Sequence, residues 1–340
     1  MRSTWARVSA GAAVLGRFSA IARLYARVMG GAALQTVGLR DDANQLEALF
    51  VPGAGMLCCS LRHRDQELLS QNAGVTAYAQ QGKTMGIPLL YPWANRLAGF
   101  DWSLGGRVAP VRVPRDQSRV RLDTRGLPIH GVIGGRLAWA LTDEPDRDAN
   151  ALSARLSWSD ADPQLFEVFP FRHELHYRAQ LDGGRLEVEL AVHACRGDAV
   201  PLSFGFHPYL TLPGVPREQW LVELPAMRAL ALDAQQIPTG AGQALAPQRF
   251  ELERRELDDG FDSVAEPARF SVAGGGRRIE LTFVQGYPCA QVFAPSAPQC
   301  VCFEPMTAPT NALRSGEGLR LLEAGERFVA SFAVAVADFG

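Results

Sequence analysis

Apolar and polar residues alternate along much of this chain from about residue 44 onward, which is the pattern of half-buried β-strands. The alternation is clearest on either side of Gly183-Gly184, a tight glycine turn. The positions that share one face are Phe171, His173, Leu175, Tyr177 and Ala179 before the turn, and Leu186, Val188, Leu190 and Val192 after it. Two such runs joined by a glycine turn predict a β-hairpin.

The same pattern recurs elsewhere. Residues 270–273 lead through three glycines at 274–276 to an alternating run at 279–283, and a third turn is predicted at Gly105-Gly106. Residues 152–158 and 328–336 alternate as well. Many short strands, in a chain with 33 Gly and 22 Pro, predict an all-β sandwich or barrel rather than a helical fold.

The first 43 residues differ from the rest. Six arginines precede the first acidic residue, Asp41, and no apolar run approaches the roughly 18 residues that span a membrane. A transit or weak signal peptide, an upstream start-site artefact and an amphipathic appendage all fit this composition. We expect residues 1–43 to be a dispensable extension, disordered or helical, followed by one domain over residues 44–338.

Charge and cysteine content narrow the function classes. With 34 Lys and Arg against 36 Asp and Glu, the chain has no basic excess for nucleic acid, and neutral small molecules or sugars suit it better. Its six cysteines contain no C-x-x-C spacing, so a zinc ribbon is not expected. Cys300 and Cys302 lie in an apolar run, which predicts buried thiols in a reducing, cytoplasmic setting.

Three residues in distinctive local settings carry the main functional signal: His130, His207 and Glu304. They are far apart in sequence, so only the fold brings them together. A gathered His/His/Glu set can move protons near neutral pH without a cofactor. This set predicts acid–base chemistry on a small neutral substrate.

Glu304 ends the run Cys300-Val-Cys-Phe-Glu, in which alternate residues share a strand face. Because Pro305 cannot donate a ladder hydrogen bond, we expect the strand to end there. Apolar neighbours would then raise the pKa of the carboxyl group toward the working pH of a general base. A solvated glutamate or a structural ion pair fits the local sequence equally well.

The two histidines also have ordinary explanations. His207 precedes Pro208 and Tyr209, an aromatic wall, and is placed either to donate a proton to a substrate oxygen or to hydrogen-bond the backbone in the core. His130 precedes Gly131, which permits close approach of a ligand or a tight turn.

Substrate contacts are predicted from two further segments. Asn95 and Arg96 follow Trp93, so the guanidinium offers donors for sugar hydroxyls and the indole offers a stacking face. A surface arginine packed on the tryptophan is the alternative. Asp258, in Leu257-Asp-Asp-Gly-Phe, is either an acceptor for hydroxyls or a turn aspartate.

Together these segments resemble the aldose 1-epimerase (mutarotase) family over roughly residues 44–338. The matching pieces, in the family's order, are Gly86-Ile-Pro-Leu-Leu-Tyr-Pro-Trp-Ala-Asn-Arg96, His130-Gly131, Gly205-Phe-His-Pro-Tyr209, Leu257-Asp-Asp-Gly-Phe261 and Glu304-Pro-Met-Thr-Ala-Pro-Thr-Asn311. His-Pro-Tyr followed by Glu-Pro-Met-Thr is the specific part. The resemblance implies a large antiparallel β-sandwich of the galactose mutarotase type, and the stretch around Gln291-Val-Phe293 departs from the family's usual pattern.

The resemblance also implies roles. Glu304 corresponds to the general base and His207 to the general acid, while Arg96, His130, Asp258 and the neighbouring Asn95 correspond to residues that orient the sugar. It implies an isomerase that interconverts anomers of a free aldohexose such as glucose or galactose, as a monomer or homodimer, with no metal, cofactor, nucleic acid or membrane.

Three other hypotheses stay open. A hexose-6-phosphate epimerase would need added cations, for which Arg125, Arg136 and Arg172 are candidates. A sugar-binding module without catalysis would have no need for an acid/base pair. A cupin-like metal enzyme is the remaining alternative.

Overall fold

A computed structural model of the chain describes residues 23–26, 34–104, 108–142, 150–158, 162–197 and 199–338. The first strands are β1 (Arg23–Ala26), β2 (Gln35–Asp41), β3 (Leu46–Val51), β4 (Leu57–His63), β5 (Gln66–Glu67), β6 (Leu89–Leu90), β7 (Asp101–Leu104), β8 (Val108–Arg112), β9 (Val120–Leu122) and β10 (Pro128–Val132). The middle strands are β11 (Ala140–Thr142), β12 (Ala151–Ser157), β13 (His173–Asp182), β14 (Arg185–Ala194), β15 (Val200–Leu202), β16 (Gly205–Phe206), β17 (Leu221–Leu224) and β18 (Met227–Leu232). The last strands are β19 (Pro238–Leu245), β20 (Gln248–Glu251), β21 (Leu257–Asp262), β22 (Ala268–Gly274), β23 (Arg277–Gln285), β24 (Cys289–Ala294), β25 (Cys302–Met306), β26 (Arg320–Leu322) and β27 (Arg327–Asp338).

Helices are short and lie between strands. They are α1 (Gly74–Gln81), α2 (Pro163–Val168) and α3 (Ala312–Ser315), with 3-10 turns at Pro52–Ala54, Gly134–Arg136 and Arg217–Gln219. None of the described helices has the length and hydrophobicity needed to cross a membrane.

Two large antiparallel sheets organise the chain. The nine-stranded sheet has the order β11-β12-β13-β14-β27-β23-β22-β17-β20, and the seven-stranded sheet has the order β19-β18-β21-β24-β25-β16-β6. The inner faces of these sheets meet through aromatic pairs, such as Phe206 with Phe332 at 4.9 Å between ring centroids and Phe270 with Phe303 at 5.5 Å. The predicted all-β antiparallel sandwich is confirmed.

The predicted hairpins are confirmed as well. Strands β13 and β14 pair without a register shift from His173 opposite Ala194 to Asp182 opposite Arg185, and their alternate residues are buried because one face covers the core. The three-glycine turn joins β22 to β23. Strands β7 and β8 also pair, while the turn predicted between them lies at residues 105–107, outside the described residues.

The N-terminal boundary needs correction. Strand β2 pairs with β3 along its whole length, and Val37 and Leu39 are buried in the main core. The sheet therefore begins before residue 44, because the side chains of β2 contribute to the core that the predicted boundary excluded. Most of the predicted extension, residues 1–22 and 27–33, lies outside the described residues.

Candidate active site

Glu304 lies on β25, an inner strand of the seven-stranded sheet that is buried at every position. The expected end of the strand at Pro305 is wrong, since Pro305 pairs with Ala290 and the strand continues to Met306. The carbonyl oxygen of Pro305 would lie 2.6 Å from a Cβ on Gly205, so the backbone carbonyl of Pro305 points toward β16. Because the nitrogen of Pro305 lies on this same side, away from β24, its missing N–H leaves the ladder with β24 intact.

His207 follows β16 directly, and its backbone N–H donates to the carbonyl of Pro88. Its imidazole Nε2 lies 3.1 Å from Oε1 of Glu304, and the two side chains are 5% and 2% exposed. Nδ1 of His207 and Oε2 of Glu304 are buried and have no hydrogen-bond partner among the described residues. Since buried polar atoms are normally paired, these two atoms are candidates for substrate contacts.

Burial shifts both members of this pair toward their uncharged forms. Burial raises the pKa of Glu304 well above its usual range; the nearby charge of Asp258 adds to this, and Arg96 opposes it. Burial lowers the pKa of His207 to about 3. These directions favour the uncharged pair, with one proton held on Glu304, and transfer of that proton to His207 across the 3.1 Å contact gives the ionised form of the pair.

Tyr209 supports the imidazole from one side. Its ring stacks on that of His207 with 4.2 Å between centroids, and its hydroxyl lies 3.3 Å from Nε2. The hydroxyl also lies 2.6 Å from Oγ1 of Thr84, to which Arg121 Nη1 donates at 3.5 Å. A chain of polar contacts thus runs from His207 through Tyr209 and Thr84 to Arg121, an arginine that the sequence did not indicate.

His130 lies beside His207, with 5.5 Å between ring centroids and the rings nearly perpendicular. It has a positive φ of 63°, and so does Gly131 at 69°. A Cβ on Gly131 would stand 2.1 Å from the carbonyl oxygen of Tyr91, so backbone contact requires this glycine. Burial, together with the charge that His207 and nearby arginines would carry, lowers the pKa of His130 well below its usual value.

Arg96 is fixed before any ligand arrives. Its Nε donates to Asp123 Oδ2 at 2.8 Å, its Nη1 to Asn95 Oδ1 at 3.2 Å, and its Nη2 lies 3.9 Å from Asp258 Oδ2. The side chain is 12% exposed. The backbone carbonyl of Asn95 accepts the N–H of His130, which ties this loop to β10.

The prediction that Trp93 offers a stacking face is wrong. This tryptophan is 0% exposed and belongs to the main hydrophobic core, so a sugar cannot reach its indole. Trp93 faces the core, whereas Arg96, three residues later, lies against Asp258.

Asp258 belongs to strand β21 and not to a turn. Its Oδ1 accepts from Gln291 Nε2 at 2.7 Å, and its side chain is 40% exposed. Gln291 lies opposite Glu304 on the adjacent strand β24. The buried amide of Gln291 therefore holds the more exposed carboxylate of Asp258 in place on the strand face that also carries Glu304.

The fold thus brings all six predicted site residues into one group of neighbouring side chains, on and beside the face of the seven-stranded sheet that carries Glu304. Sequence reasoning missed the supporting residues Asp123, Gln291, Thr84 and Arg121. Gln291 stood in a segment already marked as departing from the family pattern, which was the one available signal.

Two of the three arginines considered for a phosphate have other contacts. Arg136 donates to Gln164 at 2.7 Å and lies 3.5 Å from Asp162, at the start of α2, and Arg172 lies over the ring of Phe166. Arg125 is exposed on the turn before β10. In the part of the chain that the structure describes, no three His, Cys, Asp or Glu side chains are grouped to hold a metal ion.

Comparison with known proteins identifies the family of this chain. The sequence model of the aldose 1-epimerase family matches residues 41–335. The chain belongs to this family. Among curated proteins it is similar to the uncharacterized protein YihR of Escherichia coli K12, with 25% identity over 245 residues, covering 70% of this chain and 75% of YihR.

Solved structures share the fold. The Slr1438 protein from Synechocystis is 26% identical, with a TM-score of 0.73 over 93% of this chain and 100% of its own. A galactose mutarotase-like protein from Clostridium acetobutylicum is 14% identical, with a TM-score of 0.79 over 94% of this chain and 99% of its own.

Proposed function

We propose that this epimerase family member is an aldose 1-epimerase that interconverts the α and β anomers of a free aldohexose. Glu304 takes the proton of the anomeric hydroxyl while His207 gives a proton to the ring oxygen. The ring C–O bond then breaks and leaves the open-chain aldehyde. Rotation about C1–C2 and closure on the other face, with both proton transfers reversed, give the opposite anomer.

One observation carries the proposal: the buried contact of 3.1 Å between His207 Nε2 and Glu304 Oε1. Ring opening removes a proton from the anomeric hydroxyl and adds a proton to the ring oxygen. The enzyme therefore needs two groups, of which one accepts a proton while the other donates one. Because the pair holds one proton over a wide pH range, it meets this need without a cofactor.

The other site residues are proposed to orient the sugar. Arg96 and His130 offer nitrogen donors and Asp258 offers oxygen acceptors, so hydroxyls placed among these side chains find both donors and acceptors. Asn95 holds Arg96 through its side chain. The shifted pKa of His130 keeps its imidazole neutral, which allows one ring nitrogen to donate and the other to accept.

The test is polarimetry of freshly dissolved α-D-glucose and α-D-galactose with wild type, Glu304→Gln and His207→Asn. We expect wild type to speed mutarotation and each variant to lose about 10²–10⁴-fold in kcat. His193→Asn is the matched control, since His193 lies on β14 in the other sheet. Acceleration that survives in either site variant would contradict the assignment of that residue.

Other outcomes would replace the proposal. Activity confined to hexose 6-phosphates would make the protein a hexose-6-phosphate epimerase, and sugar binding without turnover would make it a non-catalytic module. We also propose a cytoplasmic location, supported by six cysteines among which the described structure contains no disulfide.

A further inference from the structure

A chain of hydrogen bonds that can run in only one direction ends at the imidazole of His207. It starts at Arg121, a half-buried arginine on β9 with no carboxylate partner among the residues that the structure describes. Its Nη1 donates to the carbonyl oxygen of Gly82 at 3.1 Å and to Thr84 Oγ1 at 3.5 Å. Because a guanidinium has donors and no acceptor, the Thr84 oxygen can only accept at this contact.

The hydroxyl of Thr84 passes this direction on to Tyr209. The oxygens of the two hydroxyl groups lie 2.6 Å apart, and within the described part of the chain the Thr84 proton has no other acceptor. Since the proton of a hydroxyl away from solvent needs an acceptor, Thr84 donates to Tyr209. Burial raises the pKa of Tyr209 well above its usual value, so the phenol keeps its own proton.

The phenol proton of Tyr209 then has one acceptor, Nε2 of His207 at 3.3 Å. A ring nitrogen that accepts a hydrogen bond carries no proton of its own. Burial lowers the pKa of His207 to about 3, so the imidazole is neutral near pH 7 and its single proton lies on Nδ1. Nδ1 is the buried nitrogen without a partner among the described residues, and so the one left for a substrate.

The contact between His207 and Glu304 would by itself allow two arrangements of protons. In the first, Glu304 donates a proton on Oε1 to Nε2 across 3.1 Å, and Nδ1 carries the imidazole proton. In the second, Nε2 carries the imidazole proton and donates to Oε1, and Glu304 holds its proton on Oε2. Both arrangements are uncharged, so burial does not choose between them. A donor at Tyr209 favours the first, in which Nε2 accepts.

We propose that Arg121 is a positioning residue that keeps the proton of neutral His207 on Nδ1, acting through Thr84 and Tyr209. This inference rests on the proposed function, since the first arrangement serves the enzyme only when a sugar ring is to be opened.

The first arrangement can open a pyranose ring without creating a charge on the pair. Nδ1–H gives its proton to the ring oxygen, Oε1–H of Glu304 gives its proton to Nε2, and Oε2 takes the proton of the anomeric hydroxyl. The electron pair of the anomeric O–H bond forms the carbonyl double bond, and the electron pair of the ring C–O bond binds the proton delivered to the ring oxygen. The pair ends in the second arrangement, and ring closure runs the same transfers backward.

The experiment measures which nitrogen of His207 carries the proton, by ¹⁵N NMR of histidine-labelled protein near neutral pH without sugar. A His207→Gln sample assigns the signals. We expect the Nδ1 form in wild type. In Arg121→Met and in Thr84→Val, the ratio of the Nε2 form to the Nδ1 form should rise about fivefold, and kcat for α-D-glucose should fall about three- to tenfold.

Three further variants separate hydrogen-bond direction from packing. Arg121→Lys and Thr84→Ser keep a donor at each position and should keep the Nδ1 form. Arg119→Met is the matched control, because this half-buried arginine lies close to Arg121 in sequence but donates to Asp116 and Glu167. It should change neither the tautomer nor kcat. Thermal unfolding of each variant distinguishes a broken chain from a lost fold.

The outcomes separate this inference from the function beneath it. A wild-type imidazole protonated on Nε2 would overturn the inference and leave the epimerase intact, because the tautomer is measured without sugar. A tautomer ratio that stays unchanged in both Arg121→Met and Thr84→Val would do the same. If wild type accelerates the mutarotation of no sugar, the proposed function fails, and the role of Arg121 in ring opening fails with it.

Discussion

Two buried histidines, one associated with each large sheet, have opposite hydrogen-bonding states. His173 on β13 is 0% exposed, and both ring nitrogens are paired: Nε2 lies 2.5 Å from the Tyr91 hydroxyl and Nδ1 2.7 Å from the Phe171 carbonyl oxygen. His207 is 4% exposed, yet its Nδ1 has no partner among the described residues and its Nε2 faces a carboxyl group. Burial is thus common to both, and only the second has an atom left for a ligand.

The difference teaches how to separate a structural histidine from a reactive one. A fully paired imidazole in an aromatic core, such as His173 stacked on Trp158 at 5.4 Å, holds its surroundings in place. An imidazole that is buried but incompletely paired lowers stability unless a ligand or reaction uses it.

The largest expected effects come from replacing each of the two histidines with glutamine. His207→Gln should lower kcat by about 10²–10⁴-fold with little change in thermal stability. His173→Gln should destabilise the fold by about 1–3 kcal/mol, because it breaks two buried hydrogen bonds, and should leave kcat per folded molecule nearly unchanged. Calorimetry and polarimetry on the same preparations check both. A stable, active His173 variant would remove the basis of the comparison.

A medium effect is expected on the pH profile. The one-proton form of the Glu304–His207 pair lies above the pKa of about 3 for His207 and below the raised pKa of Glu304. We therefore expect kcat/KM to fall toward pH 3 as the imidazole gains a proton, and to fall again on the alkaline side as Glu304 loses one. The negative charge of Asp258 helps to raise the pKa of Glu304, so Asp258→Asn should move the alkaline limb to lower pH.

The adjacent carboxylate provides the control for this shift. Asp259 is exposed and, as the next residue on β21, projects to the other side of the strand. Asp259→Asn should leave the alkaline limb in place. Equal shifts in the two variants would mean that general charge and not the local contact sets the pKa of Glu304.

The smallest effect on kcat is expected from the contact between Thr84 and Tyr209, the tyrosine that stacks on His207. Thr84→Val removes the partner that lies 2.6 Å from the Tyr209 hydroxyl but leaves the Tyr209 ring stacked on His207. We expect kcat to fall only about three- to tenfold, an amount that corresponds to a hydrogen bond of about 1 kcal/mol. Tyr209→Phe should give a similar loss. A thousandfold loss in either variant would show that this chain transfers the proton and does not merely position His207.

Local sequence predicted those features that are encoded within a short stretch of the chain. The β13–β14 hairpin followed from alternation and a glycine turn, and Glu304 and His207 followed from short motifs. The environment of these residues depends on register between distant strands, which one sequence does not contain. Gln291 supports Asp258 only because β24 lies between β21 and β25.

The wrong predictions came from treating local rules as sufficient. Pro305 does not end its strand, because its backbone nitrogen and carbonyl lie on the side of the short strand β16 and leave the pairing with β24 intact. Trp93 does not face the site, because the loop that carries it turns its indole into the core. In both cases a tertiary neighbour that is distant in sequence decides the outcome.

The contact between Gly131 and the carbonyl of Tyr91 has a practical consequence for protein engineering. A methyl group at residue 131 would displace the opposite backbone, and β-bridges join Tyr91 to Gly131 and Arg96 to Ile129, so the loop with Arg96 is tied to the strand with His130. Libraries that seek new sugar specificity should therefore leave this half of the site unchanged. Diversity belongs on β19, the outer strand of the β18–β19 hairpin, whose side chains are largely exposed.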